Sequence, residues 1–137
     1  MSEKQKLLIV DDSELNRDIL KEILGSRYDY MEAENGTQAI QILEVHPEID
    51  LMLLDINMPQ MNGFQVLEHM RELQWIDEVP VVMISSEESV EIMRKAYDLG
   101  ITDYISRPFD AVIVKKRVQN TLGLYANPVS YTHLRAH

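Results

Sequence analysis

Five strand-like runs end on polar residues, and a helical stretch follows each of them. Leu7-Leu8-Ile9-Val10 runs into Asp11-Asp12, Leu51-Met52-Leu53-Leu54 into Asp55, and Val81-Val82-Met83-Ile84 into Ser85. Tyr28 to Ala33 is a less apolar second run, and Asp103 to Ser106, broken by Arg107-Pro108, is the fifth. Between them, Ser13 caps a helix whose apolar positions Leu15, Ile19 and Ile23 predict the buried side, and Gly25 stops it. Asn35-Gly36 opens a second helix with Ala39, Ile40 and Leu43, ended by His46-Pro47. A third, from about Gly63 to Leu73, places Phe64, Leu67 and Met70 on one side. The fourth, from about Ser89 to Leu99, is expected to turn Val90, Met93 and Tyr97 inward before Gly100 closes it. The last carries Val114, Val118 and Leu122. Strands alternating with helices call for βαβ units and a parallel sheet. Strands that are apolar throughout need cover on both faces, and right-handed crossovers then leave a doubly wound, three-layer α/β sandwich.

In such a sheet, ligands bind outside the carboxyl ends of the strands, near the point where strand order reverses. Asp11, Asp12, Asp55, Ser85 and Arg107 all stand directly after the strand runs, so they should converge on one rim. Carboxylates brought that close repel by roughly 4 kcal/mol per pair at about 4 Å and an effective dielectric near 20. Such a site needs a proton or a cation. Oxygen donors without His or Cys suit a hard ion such as Mg²⁺, which takes one or two carboxylates and keeps several waters. Ser85 adds a hydroxyl and Arg107 a fixed charge, both suited to a phosphoryl group. Together they describe a phosphoryl-transfer site with Asp55 as the nucleophile. A small phosphatase is disfavoured, because Asn57 stands where a second Asp would serve as general acid.

The stretches Ile9-Val10-Asp11-Asp12-Ser13, Leu54-Asp55-Ile56-Asn57-Met58-Pro59-Gln60-Met61-Asn62-Gly63 and Ser106-Arg107-Pro108-Phe109 resemble the signatures of response regulator receiver domains. The similarity runs from about Leu7 to Leu124. It implies a flavodoxin-like (βα)5 sandwich with strand order 2-1-3-4-5. It also implies phosphoryl transfer to Asp55 from a phosphohistidine on a sensor kinase or phosphotransfer protein. By the same resemblance Asp12 is a direct Mg²⁺ ligand, Asp11 holds a metal-bound water, and the backbone carbonyl of Asn57 completes the protein ligands beside Asp55. Ser85 matches the hydroxyl residue that moves to the phosphoryl group, and Tyr104 the aromatic switch that turns inward with it. That change remodels the face of the fourth helix, fifth strand and fifth helix, where a partner, an output domain or a second copy would dock. Asn57 and Glu87 occupy positions that tune dephosphorylation, and the bond before Pro108 is expected to be cis. Arg107 departs from the family pattern, which has Lys there. It keeps the charge but is planar and bulkier.

Plainer readings stand beside these roles. Asp11 and Asp12 could cap the first helix, Ser85 shares its strand end with Ser86, and Tyr104 could simply be packed. Glu87 could be a solvated acid in a first helical turn. Arg107 could face solvent and leave the site degenerate, and its presence in place of Lys also motivates a second hypothesis, a phosphate-independent interaction module with the same fold.

The 137 residues fit one domain, expected over 5–125. With 23 acidic against 13 basic residues and a net charge of -10, the chain is poorly suited to nucleic-acid phosphates or an anionic membrane. It has no cysteine, no apolar run long enough to span a membrane and no visible leader, which point to the cytoplasm. Residues 126–137 break the pattern: Val129 to His137 has no amphipathic period and reads like a transposase-type sequencing adapter translated in frame. That tail is set aside from the fold. An output domain is expected downstream of residue 128, and the Ile105 to Asp110 stretch is similar to receivers that precede HD-type or GGDEF-type domains.

Overall fold

The computed structural model describes residues 4–58, 61–86 and 89–126. Glu87, Glu88 and the tail from 127 onward lie outside the described residues, as do Pro59 and Gln60. Five strands, β1 (Lys6–Val10), β2 (Asp29–Ala33), β3 (Leu51–Asp55), β4 (Val81–Ser85) and β5 (Asp103–Ser106), form one parallel sheet in the order β2-β1-β3-β4-β5. Helices α1 (Glu14–Leu24), α2 (Gly36–Val45), α3 (Gly63–Glu72), α4 (Val90–Leu99) and α5 (Ala111–Ala126) alternate with them, and one 3₁₀ turn follows α1. The architecture is the doubly wound sandwich expected, with the 2-1-3-4-5 order.

The alternation of side chains along each strand builds two cores. Leu8, Val10, Met52, Leu54, Val81 and Met83 point to the face covered by α2, α3 and α4. Leu7, Ile9, Leu51, Leu53, Val82 and Ile84 point to the face covered by α1 and α5. All five residues of β3 and of β4 are buried, as central strands of a two-sided sheet require. Polar caps fix where the helices start: Ser13, Asn35, Asn62 and Ser89 each accept a backbone N–H from the first turn. Asn62 and Gln65 form a full capping box, which pins the start of α3. Gly100 ends α4 with φ at 110°, a conformation a side chain resists.

Two helix faces differ from expectation. In α1 the buried line is Arg17, Leu20 and Leu24, whereas Leu15 is 68% exposed and Ile19 and Ile23 are only partly covered. In α4, Val90 and Tyr97 face outward at 62% and 43% exposure, and Ala96 makes the contact, flanked by Ile92 and Leu99. Met93, also expected to turn inward, is partly buried. The expected line of α5 is buried; in α2 Ala39 and Leu43 are buried and Ile40 partly so, and in α3 Leu67 and Met70 are buried with Val66, and Phe64 partly so.

Candidate functional site

Parallel pairing in register fixes which residues share the rim. Val10 lies beside Leu54, Asp55 beside Ile84, and Ser85 beside Ser106, so the residues after these strands emerge together. Asp11, Asp12 and Asp55 each offer a carboxylate oxygen, all within 4.8 Å of one another. Asp11 and Asp55 are almost fully buried, and Asp12 is exposed.

Each oxygen of the two buried carboxylates has a partner. Asp11 Oδ1 accepts the Ser13 backbone N–H at 2.9 Å, and Asp55 Oδ1 accepts the Asn57 N–H at 3.1 Å. Both Oδ2 atoms face Arg107, whose Nη2 lies 2.5 Å from Asp11 and 3.3 Å from Asp55. Arg107 therefore faces the site rather than solvent. The Arg107 backbone N–H donates to the Ser85 carbonyl, and the Arg107-Pro108 bond is cis, as the resemblance implied. Burial pushes the Asp55 carboxyl up to about 6, with the charge of Asp11 adding to it and Arg107 and the Asn57 N–H opposing.

Three oxygen donors in this arrangement fit a small hard cation. They match an ion that retains water, and exposed Asp12 leaves a solvent side for it. The acidic cluster could hold a metal. The backbone of Asn57 lies beside it through the bond to Asp55.

Ser85 is buried at the end of β4. Tyr104 sits one strand away and partly buried, outside the carboxylate cluster. The Arg117 guanidinium lies 4.9 Å from its ring centre and donates to the Tyr104 carbonyl.

Arg17 belongs to the site although no motif singles it out. It is buried on α1, donates to the Asp11 backbone carbonyl at 2.6 Å and pairs with Glu32 at 2.8 Å. The signal for it was positional: Arg17 precedes Leu20 and Leu24 by three and seven residues, the spacing of one helix face. Arg17→Met should destabilise the protein by about 1–3 kcal/mol, because a buried carbonyl loses its donor while Glu32 keeps Lys21. Urea unfolding measures this, and an unchanged midpoint would show that the carbonyl does not need Arg17.

A family model, the response regulator receiver domain, matches residues 7–119. The chain belongs to the response regulator receiver family. This receiver domain is 35% identical over 120 residues to the chemotaxis protein CheY1 of Helicobacter pylori, covering 86% of this chain and 97% of that one. It is 34% identical over 116 residues to a Vibrio cholerae protein named as a probable cyclic di-GMP phosphodiesterase, covering 85% of this chain but 26% of that one. The high-resolution structure of V. cholerae chemotaxis protein CheY4 superposes with a TM-score of 0.80 at 27% identity, covering 87% of this chain and 99% of that one. As a receiver it is a regulatory module of two-component signalling, which works with a histidine kinase or phosphotransfer partner. Among the described residues no helix is long and apolar enough to cross a membrane.

Proposed function

We propose that this receiver accepts a phosphoryl group on Asp55, with Mg²⁺ held by Asp11, Asp12, Asp55 and the Asn57 carbonyl. The observation that carries the proposal is the position of Asp55: a buried carboxylate at the end of β3, among two other carboxylates, facing a guanidinium. In the transfer, an Asp55 oxygen forms a bond to phosphorus as the P–N bond of a phosphohistidine breaks. The electron pair stays on the imidazole nitrogen, which takes a proton. Mg²⁺, when bound, neutralises the carboxylates and draws charge from the phosphoryl oxygens. The chain's own residues do the rest. At neutral pH Asp55 is largely ionised and able to attack, since its carboxyl titrates near 6. The Asn57 N–H holds one of its oxygens in place. Arg107 and Ser85 supply a cation and a hydroxyl for the transferred group.

The phosphoryl group would draw in Ser85 and turn Tyr104 inward, changing the α4-β5-α5 face. Val90 and Tyr97 on α4 already leave apolar surface exposed. That face suits an output partner, a second copy, or an output domain beyond residue 128. We take the domain as 5–125, with Ala126 completing α5, and the cytoplasm as its compartment.

A second reading, a phosphate-independent interaction module, is favoured by the closure of Arg107 over Asp11 and Asp55. Beryllofluoride with Mg²⁺, followed by amide NMR, separates the two. Saturable shifts at Asp55, Ser85 and Tyr104 are expected, and a spectrum that does not move would favour the interaction module.

A further inference from the structure

Arg107 does more than supply a charge that lysine would also supply. Its Nη2 bridges the two carboxylate oxygens, Asp11 Oδ2 and Asp55 Oδ2, that the backbone leaves open. Its guanidinium carbon also lies 5.9 Å from the centre of the Phe109 ring, within reach of a cation–π contact. The guanidinium is thus held between both carboxylates by one nitrogen. A divalent cation drawn to the same oxygens must displace it or share them. Asp12, exposed and outside the bridge, remains the carboxylate a hydrated ion meets first.

The bridge is also incomplete. Arg107 Nε is buried and has no hydrogen-bond partner among the described residues. A buried donor without an acceptor carries a standing penalty, so the guanidinium is held in an arrangement that can yield.

We propose that Arg107 is a resident competitor of Mg²⁺: its guanidinium occupies the Asp11 and Asp55 oxygens in the unphosphorylated protein and sets a high Mg²⁺ threshold for the site. This rests on the metal reading given under the proposed function. What distinguishes it from the compact ammonium of lysine is the planar, bulkier guanidinium, which brings a buried Nε to the site along with Nη2 and lies against the Phe109 ring. With Arg107 in place, Mg²⁺ has to rearrange a side chain before it can reach its ligands.

Calorimetric Mg²⁺ titration of the full chain and of Arg107→Lys tests this without reference to phosphorylation. The charge-conserving variant should bind Mg²⁺ about tenfold more tightly, and the Arg107 Nε–H resonance of the parent should shift in step with Mg²⁺ binding. Equal affinities for parent and variant, or a resonance that stays fixed while Mg²⁺ binds, would overturn the competition and leave the metal site standing. Should neither protein bind Mg²⁺, and Arg107→Met not bind it either, the metal reading falls and the competition with it. Amide spectra of both variants report whether the fold is retained.

Discussion

Asp55→Asn should carry no hydroxylamine-labile phosphoryl group and yet, in EDTA at neutral pH, unfold at higher denaturant than the parent. Both effects come from the same carboxylate. Burial beside Asp11 raises its pKa from 3.8 to about 6, so the folded state holds its proton more tightly than the unfolded chain. Below about pH 4 both states are protonated, and the group contributes nothing. As pH rises toward 6 the unfolded chain ionises first and stability falls; above 6 the loss is complete, at roughly 3 kcal/mol. Asparagine has no such titration. The stability gap between variant and parent should therefore open between about pH 4 and 6 and narrow when Mg²⁺ is added. Label incorporation should drop at least a hundredfold, since no other carboxylate at the rim takes the place of Asp55 at the end of β3. Unfolding curves that coincide across the whole pH range would show that the buried charge is no burden. A label retained by the variant would place the acceptor elsewhere.

The strands and the rim were legible because a buried parallel strand is an unbroken apolar run, and the residue after its last apolar position is displayed at the sheet's edge; the strand order came from the family resemblance. Leu51 to Leu54 followed by Asp55 needs no partner information to be read this way. Helix faces were less legible where apolar residues lie on adjacent positions. In α1, Ile19-Leu20 and Ile23-Leu24 offer two lines one residue apart, and only the docking of Arg17 onto the Asp11 carbonyl selects the second. In α4 the fully buried residue is Ala96, which carries little hydrophobic weight in a pattern. That Asp11, Asp12, Asp55 and Arg107 gather at one rim was readable from their places at the strand ends. Their pairing was not: which oxygens Arg107 meets depends on the path of the chain after β5 and on backbone N–H groups from Ser13 and Asn57 that no motif specifies.

Gly63→Ala tests how tightly that rim is held, and it should be among the most damaging single-methyl changes in the domain. A Cβ on Gly63 would lie 2.7 Å from the Asp55 backbone oxygen and 2.7 Å from the Ile56 Cα, with the Asp55 carbonyl carbon at 3.3 Å. These are backbone atoms, which cannot rotate away. Nor is α3 free to retreat, because Val66, Leu67 and Met70 are fully buried and the Asn62–Gln65 capping box fixes its first turn. The end of β3 must then move, taking the acceptor and the Gly63 N–H to Ile56 carbonyl bond with it. Overpacking of this kind costs about 1–3 kcal/mol. Displacement of a reacting group by about 1 Å can cost on the order of a hundredfold in rate. Gly123→Ala is the matched control: nothing lies within 4 Å of its added methyl, and alanine in the body of α5 should stabilise by about 0.5–1 kcal/mol. If Gly63→Ala matched the parent in urea stability and in phosphorylation rate, the close approach of α3 to Asp55 would not be what positions the acceptor.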